Sequence, residues 1–194
     1  MTALVPPVTR ASMRPALLVV AIVAGGAAAL WLMGQPLICR CGVVALWSGD
    51  IWSNQNSQQF ADPYSFTHIT HGVLLFGALY PARRWLALGW RLVAVMAIEV
   101  AWEIAENTPY VINRYREATI SLDYTGDSVL NSTFDALFCL LGFAIASRLP
   151  WRVAVAGIVV TEVVLALTIR DSLLLNIVML VAPIPAIREW QATR

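Results

Sequence analysis

The sequence predicts an all-α membrane protein, a polytopic bundle of about six transmembrane helices in a single integral membrane domain over residues 1–194. Hydrophobic residues make up 59% of the chain and charged residues only 13%, whereas an average soluble domain has about 25% charged residues. The mean hydropathy is +0.69. A soluble surface of this composition would expose large apolar patches and aggregate. A net charge of +1 gives no electrostatic basis for nucleic-acid binding, so the predicted partner is the lipid bilayer.

Six apolar runs are predicted as helices, because about 20 apolar residues can cross a bilayer. The first begins near Pro15, a residue suited to a first helical turn. Arg10 and Arg14 before it resemble the flank of a signal peptide, but a clear small-residue cleavage site is missing, so we expect an uncleaved helix. The second and sixth runs are short, and Pro183 and Pro185 interrupt the sixth. The runs cover about 15–33, 66–80, 85–106, 128–149, 151–169 and 172–187.

The distribution of arginine predicts the orientation, because basic residues are enriched in the cytoplasmic segments of membrane proteins. With the N-terminus inside, nine arginines are cytoplasmic and four are outside. Both termini are therefore predicted on the cytoplasmic side of a bacterial inner membrane. The two long segments 34–65 and 107–127 become outer loops. The cytoplasmic set is Arg10, Arg14, Arg83, Arg84, Arg91, Arg148, Arg152, Arg188 and Arg194, and the outer set is Arg40, Arg114, Arg116 and Arg170.

Ionisable and amide side chains gather at the outer ends of the second, third and fourth predicted helices. Their spacings of three, four, seven and eight residues put each group on one helix face. At about 1.5 Å per residue, all of them lie within roughly 12 Å of the outer boundary. Because ionisable residues are costly inside a membrane, they indicate a functional site. By helix, the groups are His68 and His71; Glu99, Glu103 and Glu106; and Asp127, Asn131 and Asp135.

Three carboxylates on one stripe repel each other if all are ionised, so their charge requires compensation. A bound divalent cation is one solution, and Arg114 or Arg116 folding back from the outer loop is a second. A third is protonation of a carboxyl group that is removed from water. Alternatively, these polar groups form no functional site and only hold helices together through hydrogen bonds, each of which stabilises the bundle by about 0.6 kcal/mol.

Cys39 and Cys41 lie in the first predicted outer loop. With His68 and His71 they could form a Cys₂His₂ zinc site. A disulfide, or two partly buried thiols, is a simpler interpretation in an oxidising compartment.

Several short motifs occur along nearly the whole chain. Together they are similar to an uncharacterised family of small multi-pass inner-membrane proteins of alphaproteobacteria, which is known only as a domain of unknown function. The resemblance implies a plasma-membrane location and no particular activity. The motifs are Cys39-Arg-Cys-Gly42, Asn56-Ser-Gln58, Ser65-Phe-Thr-His68-Ile-Thr-His71-Gly72, Trp102-Glu-Ile-Ala-Glu-Asn107, Asn113-Arg-Tyr-Arg116, Asp123-Tyr-Thr-Gly-Asp-Ser128, Asn131, Ile169-Arg-Asp171, Leu175-Asn176 and Trp190-Gln191.

A looser, fold-level resemblance connects the chain with VanZ-like membrane proteins, which are associated with glycopeptide resistance of the cell envelope. These proteins also have a histidine on an early helix and a glutamate on the next, followed by arginine, aspartate and asparagine. The matching positions here are His71, Glu99 or Glu103, Arg116, Asp127 and Asn131. An analogy at this level does not define a reaction.

The first functional hypothesis is a hydrolase- or transferase-like enzyme that modifies a lipid or lipid-linked headgroup in the outer leaflet. A divalent metal on two histidines and two glutamates would polarise a phosphate or carbonyl group and activate water. In a version without metal, hydrogen bonds between histidine and glutamate replace the ion. The predicted metal ligands are His68, His71, Glu99 and Glu103; the predicted catalytic residues are Glu103, Asp127, Glu99 and His71; the predicted substrate-binding residues are Arg114, Arg116, Asn107, Asn131, Ser128 and Asp135.

The other hypotheses belong to different classes of protein. A glutamate-dependent intramembrane protease would also combine glutamates with histidines, but the chain has no adjacent Glu-Glu pair. A proton-coupled transporter could use the histidine and glutamate stripes as a relay, although no internal repeat is visible. A non-catalytic accessory or assembly protein would need the polar groups only for packing. The sequence alone does not decide between these classes.

Overall fold

The computed structural model describes residues 13–119 and 123–193, and in them the chain forms eight α-helices, one short 3-10 helix and no β-strand. The predicted all-α class is confirmed. Arg10, Arg194 and positions 120–122 of the second predicted outer loop lie outside these ranges. In chain order the helices are α1 (Met13–Leu32), α2 (Ser65–Ala78), the 3-10 helix (Tyr80–Arg84), α3 (Leu88–Glu106), α4 (Pro109–Ala118), α5 (Val129–Ala146), α6 (Trp151–Thr168), α7 (Leu173–Val181) and α8 (Pro185–Ala192).

Three of the described helices, α1, α5 and α6, are long and apolar enough to cross a membrane. The prediction of about six such helices is wrong for physical reasons that differ between elements. The 14 residues of α2 rise about 21 Å, less than the roughly 30 Å of a hydrocarbon core. Helix α3 has the length, but it carries Arg91, Glu99, Glu103 and Glu106.

The sixth predicted run, 172–187, is two helices that turn back on each other. Helix α7 ends at Val181, and α8 begins at Pro185 after the break. The side chain of Arg170 donates to the carbonyl oxygens of Trp190, at 3.1 Å, and of Thr193. Because α8 ends beside the residues that precede α7, this run enters and leaves at the same end of the bundle. The prediction that it crosses once, with the C-terminus at the opposite end, is therefore wrong.

The bundle has two chemically different ends, which the connections between helices define. We call the end where α3 finishes and α5 begins the acidic end, because the buried carboxylates lie there. At the other, basic end, the guanidinium groups of Arg83 and Arg84 lie 4.0 and 4.4 Å from the ring centroids of Tyr80 and Trp85. Between the two ends, α1, α3 and α5 pack through buried apolar side chains such as Met96 and Ala136.

Helices α2 and α5 approach each other with their backbones in contact, which only glycine permits. A Cβ atom on Gly72 would lie 2.0 Å from the carbonyl oxygen of Cys139, and one on Gly142 would lie 2.0 Å from that of Ile69. Small residues of this kind allow close packing of membrane helices. The contact fixes the height and rotation of α2, and so the positions of its two histidines.

The two predicted outer loops are more ordered than expected. Residues of the first loop cap α5: the carbonyl oxygens of Pro36 and Leu37 accept hydrogen bonds from the N–H groups of Val129, at 2.8 Å, and Leu130, at 3.1 Å. Free N–H groups at a helix start require such partners. The second loop contains α4, a short polar helix that no apolar run predicts. It starts with Thr108 as its cap and a proline at its first position.

Asp171 attaches the α7–α8 pair to the bundle. Its carboxylate accepts hydrogen bonds from the Gln191 side chain on α8 at 3.1 Å and from the Tyr64 hydroxyl before α2 at 3.1 Å. The Ser172 N–H donates to it at 2.9 Å. Burial raises the pKa of Asp171 to about 6, and the hydrogen bonds from Ser172 and Tyr64 oppose this rise.

The close contact between α2 and α5 yields a direct test. Gly142→Ala should destabilise the protein by several kcal/mol, because the new methyl group meets backbone atoms that cannot move separately. Gly77→Ala is the matched control, since no atom on a neighbouring element lies within 4 Å of the place that its methyl group would occupy on α2. Thermal melting of the detergent-purified variants measures the difference, and equal melting temperatures for both would contradict the packing.

Asp171 predicts a pH dependence of stability. Its pKa in the folded chain, about 6, lies above the ordinary 3.8, so the folded state holds this proton more tightly. The resulting stabilisation is complete below pH 3.8 and is lost as the pH rises through about 6. The pKa difference corresponds to about 3 kcal/mol at about 1.4 kcal/mol per pH unit.

The test compares wild type with Asp171→Asn by melting between pH 4 and pH 7. The advantage of the wild type over the variant should shrink as the pH rises. A constant difference across this range would contradict the assignment.

Candidate functional site

A cavity of about 190 Å³ lies at the acidic end, between the ends of the central helices and α7. Histidine and carboxylate side chains line it. Apolar side chains of α7 and an indole ring from α3 line it as well. The polar lining includes His68, His71, Glu106, Asp127, Asn131 and Asp135, and the apolar lining includes Trp102, Leu173, Ile177 and Leu180.

His68 is buried among three carboxylates from two helices. Its Nδ1 atom lies 2.6 Å from Glu99 Oε1 and 3.3 Å from Glu103 Oε1, and its Nε2 atom lies 3.8 Å from Asp135 Oδ2. An imidazolium group here would neutralise one of the three negative charges. His68 therefore joins α2 electrostatically to both α3 and α5.

His71 lies one turn further along α2 and reaches the same glutamate. Its Nδ1 atom lies 3.1 Å from Glu99 Oε2, so Glu99 has one histidine on each oxygen. Within the described residues, no hydrogen bond or ion pair engages Nε2 of His71. A carboxylate that holds Nδ1–H leaves Nε2 as the free proton acceptor. The side chain lines the cavity and is 19% exposed, so Nε2 is available to a bound molecule.

A second group of acids lies beside the histidines. Glu103, Glu106 and Asp127 each offer one carboxylate oxygen within 4.8 Å of the others. Asn107 fixes Asp127 by a reciprocal pair of hydrogen bonds, in which the Asn107 amide donates at 2.8 Å and the Asp127 N–H returns a bond at 2.7 Å. The Tyr124 hydroxyl donates to the other oxygen of Asp127 at 2.8 Å.

Gly126 makes this arrangement possible. Its φ of +90° belongs to a backbone conformation that favours glycine, and a Cβ atom there would lie 2.7 Å from the side-chain oxygen of Asn107. The turn delivers Asp127 to the start of α5. Burial raises the pKa of Asp127 to about 6, and hydrogen bonds from Tyr124 and Asn107 oppose the rise.

The first long loop completes the wall of the site. Asp62 accepts hydrogen bonds from the N–H groups of Ser57 at 2.9 Å and Tyr64 at 2.8 Å. Its own N–H donates to Ser65 Oγ, and that hydroxyl donates to Asp135 at 3.0 Å. Burial raises the pKa of Asp62, against the effect of these backbone hydrogen bonds. The chain of contacts ties the loop to α2 and α5.

The predicted site residues divide into three sets. Glu99, Glu103, Asn107 and Ser128 are buried behind the cavity wall and do not line it. Arg114 and Arg116 are not in the lining either: their Nε atoms donate to the carbonyl oxygens of Leu180, at 2.7 Å, and Tyr124, at 2.6 Å. The cavity wall itself includes His68, His71, Asp127, Asn131 and Asp135.

The two arginines do not compensate the carboxylates, although this was one of the three predicted solutions. In the described part of the chain, every ion pair with a carboxylate involves His68 or His71. The arginines instead position α7 and the turn before Asp127.

Sequence patterns missed several lining residues. Tyr64 and Ser57 come from the loop before α2, Tyr115 from α4, and Asn176 and Leu180 from α7. The polar run that contains Ser57, and Asn176 as a single amide within an apolar run, were visible signals. Nothing in the sequence put α7 over the site, because that depends on the turn back into α8.

The cysteines in the first loop do not share the histidine site. Cys39 and Cys41 form a disulfide, with their Cα atoms 5.1 Å apart. Of the predicted alternatives for this pair, the disulfide is the one observed, and it leaves no thiolate for zinc.

The atoms that could hold a metal form two neighbouring groups. One consists of His68, His71 and Glu99, whose ligand atoms lie within 4.8 Å of one another, and the other is the acidic group described above. The predicted metal set of His68, His71, Glu99 and Glu103 therefore divides between the two groups, and metal binding by it stays a prediction.

Comparison with known proteins identifies the family of the chain. Residues 30–193 match the model of a protein family of unknown function, DUF2585. A UPF0314 protein of Sphingopyxis alaskensis is 49% identical over 180 residues, which cover 91% of this chain and 94% of the relative. A UPF0314 protein of Sinorhizobium fredii is 53% identical over 161 residues, 83% of this chain and 82% of the relative. No solved structure matches.

The chain therefore belongs to the DUF2585 family, and the predicted resemblance to an uncharacterised alphaproteobacterial family is confirmed. The names of the relatives state no activity and no location. The likeness to VanZ-like proteins stays a prediction.

Proposed function

We propose that the protein modifies the polar headgroup of a membrane lipid or lipid-linked molecule, in a hydrolase- or transferase-like reaction at the acidic end of the bundle. The observation that carries this proposal is that the lining of one cavity combines two kinds of side chain. It contains the titratable side chains of His71, Asp127 and Asp135 and the apolar side chains of Leu173 and Ile177. An amphiphilic molecule matches such a cavity better than a fully polar or fully apolar one.

The size of the cavity supports a headgroup rather than a whole lipid. Its volume of about 190 Å³ is below the roughly 300–1,000 Å³ of pockets that enclose drug-sized molecules. The tail of a lipid must therefore stay outside. The outward face of α7, with Leu174 and Val181 64% and 77% exposed, offers an apolar surface along which a tail can leave.

His71 is the best candidate for the general base. Glu99 holds its Nδ1 atom at 3.1 Å, which orients the ring and stabilises the imidazolium formed when Nε2 takes a proton. In many hydrolases a carboxylate orients a histidine base and stabilises its protonated form in the same way. Proton transfer by a positioned side chain contributes about 10²–10⁴-fold to a rate.

We further propose that α1, α2, α3, α5 and α6 cross a bacterial inner membrane, with the acidic end outside. The arginines of the basic end, including Arg83, Arg84 and Arg152, support a cytoplasmic position for that end. Because α7 and α8 turn back together, the C-terminus then lies outside. Helix α3 crosses as an inner member of the bundle, where protein surrounds its polar groups. Helix α2 is too short to cross alone, and it crosses together with the 3-10 helix Tyr80–Arg84 that follows it.

The alternatives have less support. A proton-coupled transporter needs titratable groups along the whole path through the membrane. Among the described residues, the buried carboxylates and imidazoles lie towards the acidic end, and Arg91 is the buried ionisable side chain near the basic end. An accessory or assembly protein would not need a cavity with a free histidine nitrogen.

The catalytic proposal predicts a change in lipid composition. His71→Gln and Glu99→Gln should each lower turnover by at least about 10²-fold, because both remove the oriented base. The membrane lipids of strains that carry each variant in place of the wild-type gene can be compared by mass spectrometry. Both variants should resemble a deletion strain.

Glu117→Gln serves as the matched control, since Glu117 is an exposed acid on α4. It should leave the lipid profile unchanged. Wild-type profiles in the His71 and Glu99 variants, at normal protein levels, would contradict the proposal.

The proposed topology is tested with reporter fusions. Alkaline phosphatase fused after Arg194 should be active, because that enzyme folds only outside the cytoplasm. A fusion after Leu149, in the connection between α5 and α6, is the control and should be inactive while a fluorescent-protein fusion there is bright. An inactive phosphatase at the C-terminus would contradict the topology.

A further inference from the structure

We propose that Glu103, Glu106 and Asp127 bind one divalent cation of the oxygen-preferring class, such as Mg²⁺ or Mn²⁺, which holds a phosphate group of the substrate in the cavity. The metal site stands on its own geometry. Its role towards a phosphate rests on the proposed function.

The three side chains converge as ligands of one ion would. One oxygen from each of the three carboxylates lies within 4.8 Å of the others. Oxygen ligands at about 2.0–2.1 Å from Mg²⁺ in an octahedron lie about 3–4 Å apart, so the three oxygens would move closer together when the ion binds, and Asp127 would bind it beside the hydrogen bonds from Asn107 and Tyr124. Three protein oxygens leave coordination positions for water and for a phosphate oxygen.

Glu103 supplies an independent indication of a missing partner. Its side chain is only 2% exposed, and Oε1 accepts no hydrogen bond from any described residue. The nearest cationic atom, His68 Nδ1 at 3.3 Å, is closer to Glu99, at 2.6 Å. A buried carboxylate oxygen that accepts no hydrogen bond and shares its one imidazole neighbour with Glu99 is poorly compensated, and a divalent cation would satisfy it.

The acidic group differs in its ligand chemistry from the group of His68, His71 and Glu99, although His68 Nδ1 also lies 3.3 Å from Glu103 Oε1. Both oxygens of Glu99 already have an imidazole partner, so the group of His68, His71 and Glu99 is satisfied by its own hydrogen bonds. The acidic group consists only of carboxylates, and hard oxygen ligands select Mg²⁺, Mn²⁺ or Ca²⁺ over zinc. We therefore assign proton transfer to the group of His68, His71 and Glu99, and cation binding to the acidic group.

The cation also explains how an acidic cavity could accept an anionic headgroup. Glu106 and Asp127 line the cavity, and in the described residues no arginine forms an ion pair or belongs to its lining. Without a cation these carboxylates would repel a phosphate. A divalent ion reverses the local charge and can bridge the protein and the phosphate. Its position beside His71 would present the phosphate to the proposed base.

The experiment is Mn²⁺ titration of the full-length protein in dodecyl maltoside, followed by electron paramagnetic resonance. We expect one tightly bound Mn²⁺ per chain. Glu106→Gln and Glu103→Gln should each weaken Mn²⁺ binding at least about tenfold. Removing a residue that only orients a metal ligand already weakens binding by about that factor, and removing a direct ligand should weaken it at least as much. Glu117→Gln should bind like the wild type, and so should His71→Gln.

Three results would overturn the proposal: no Mn²⁺ binding by the wild type, unchanged binding by both glutamate variants, or loss of binding in His71→Gln. Pulsed measurements on the wild type give an answer that does not depend on how the variants fold. We expect no magnetic coupling between Mn²⁺ and a histidine nitrogen. Such coupling would show that the ion binds the group of His68, His71 and Glu99, and would contradict the assignment.

The phosphate is tested separately on the Mn²⁺-loaded protein. Short-chain phosphatidylglycerol and inorganic phosphate are added in parallel, and coupling to ³¹P is recorded. Coupling with the lipid at lower concentration than with free phosphate is expected, and no coupling with either would overturn the phosphate role. These binding experiments need no turnover. They therefore test the metal site independently of catalysis by His71, which the lipid profiles test.

Discussion

An excess of buried carboxyl groups at one end of the bundle shapes the whole molecule. Glu99, Glu103, Asp127 and Asp135 are each at most 5% exposed, and the charged partners that they have in the described residues are His68 and His71. Burying carboxylates is expensive unless hydrogen bonds, cations or protons compensate. Much of the surrounding structure supplies such compensation. Asn107 and Tyr124 bind Asp127, Ser65 binds Asp135, and backbone N–H groups bind Asp62.

Hydrogen bonds of the same kind hold the loops and short helices in place against the long apolar helices. The first loop caps α5 with backbone carbonyl groups and connects to Asp135 through Ser65. Asp171 holds α8 against the residue that precedes α2, and Arg114 holds the end of α7. Each contact brings a wall of the cavity into position. The apolar side chains that α7 contributes to the cavity lining therefore depend on polar contacts that fix the α7–α8 turn.

Sequence patterns predict the helical class and the polar stripes well, because both depend on local spacing along one chain segment. His68 and His71 do share a face, and Glu99 does lie opposite them. The patterns fail where tertiary contacts decide. The run 172–187 is apolar enough to suggest a crossing, yet Pro183, Pro185 and the partners of Asp171 turn it back. Arg114 and Arg116 suggest an anion clamp by charge alone, whereas the fold uses them to bind carbonyl oxygens of α7 and the turn before Asp127.

The proposed function requires that the cavity at the acidic end receives the headgroup of a membrane lipid, with α7 as its apolar wall. A phosphatidylglycerol that carries a photoreactive diazirine in its headgroup can report this binding, with the protein in nanodiscs and the cross-links mapped by mass spectrometry. We expect cross-links within Ser65–Ala78 and Leu173–Val181, lost on competition with unlabelled lipid. Cross-links confined to the exposed face of α6, and none in those two segments, would contradict the proposal.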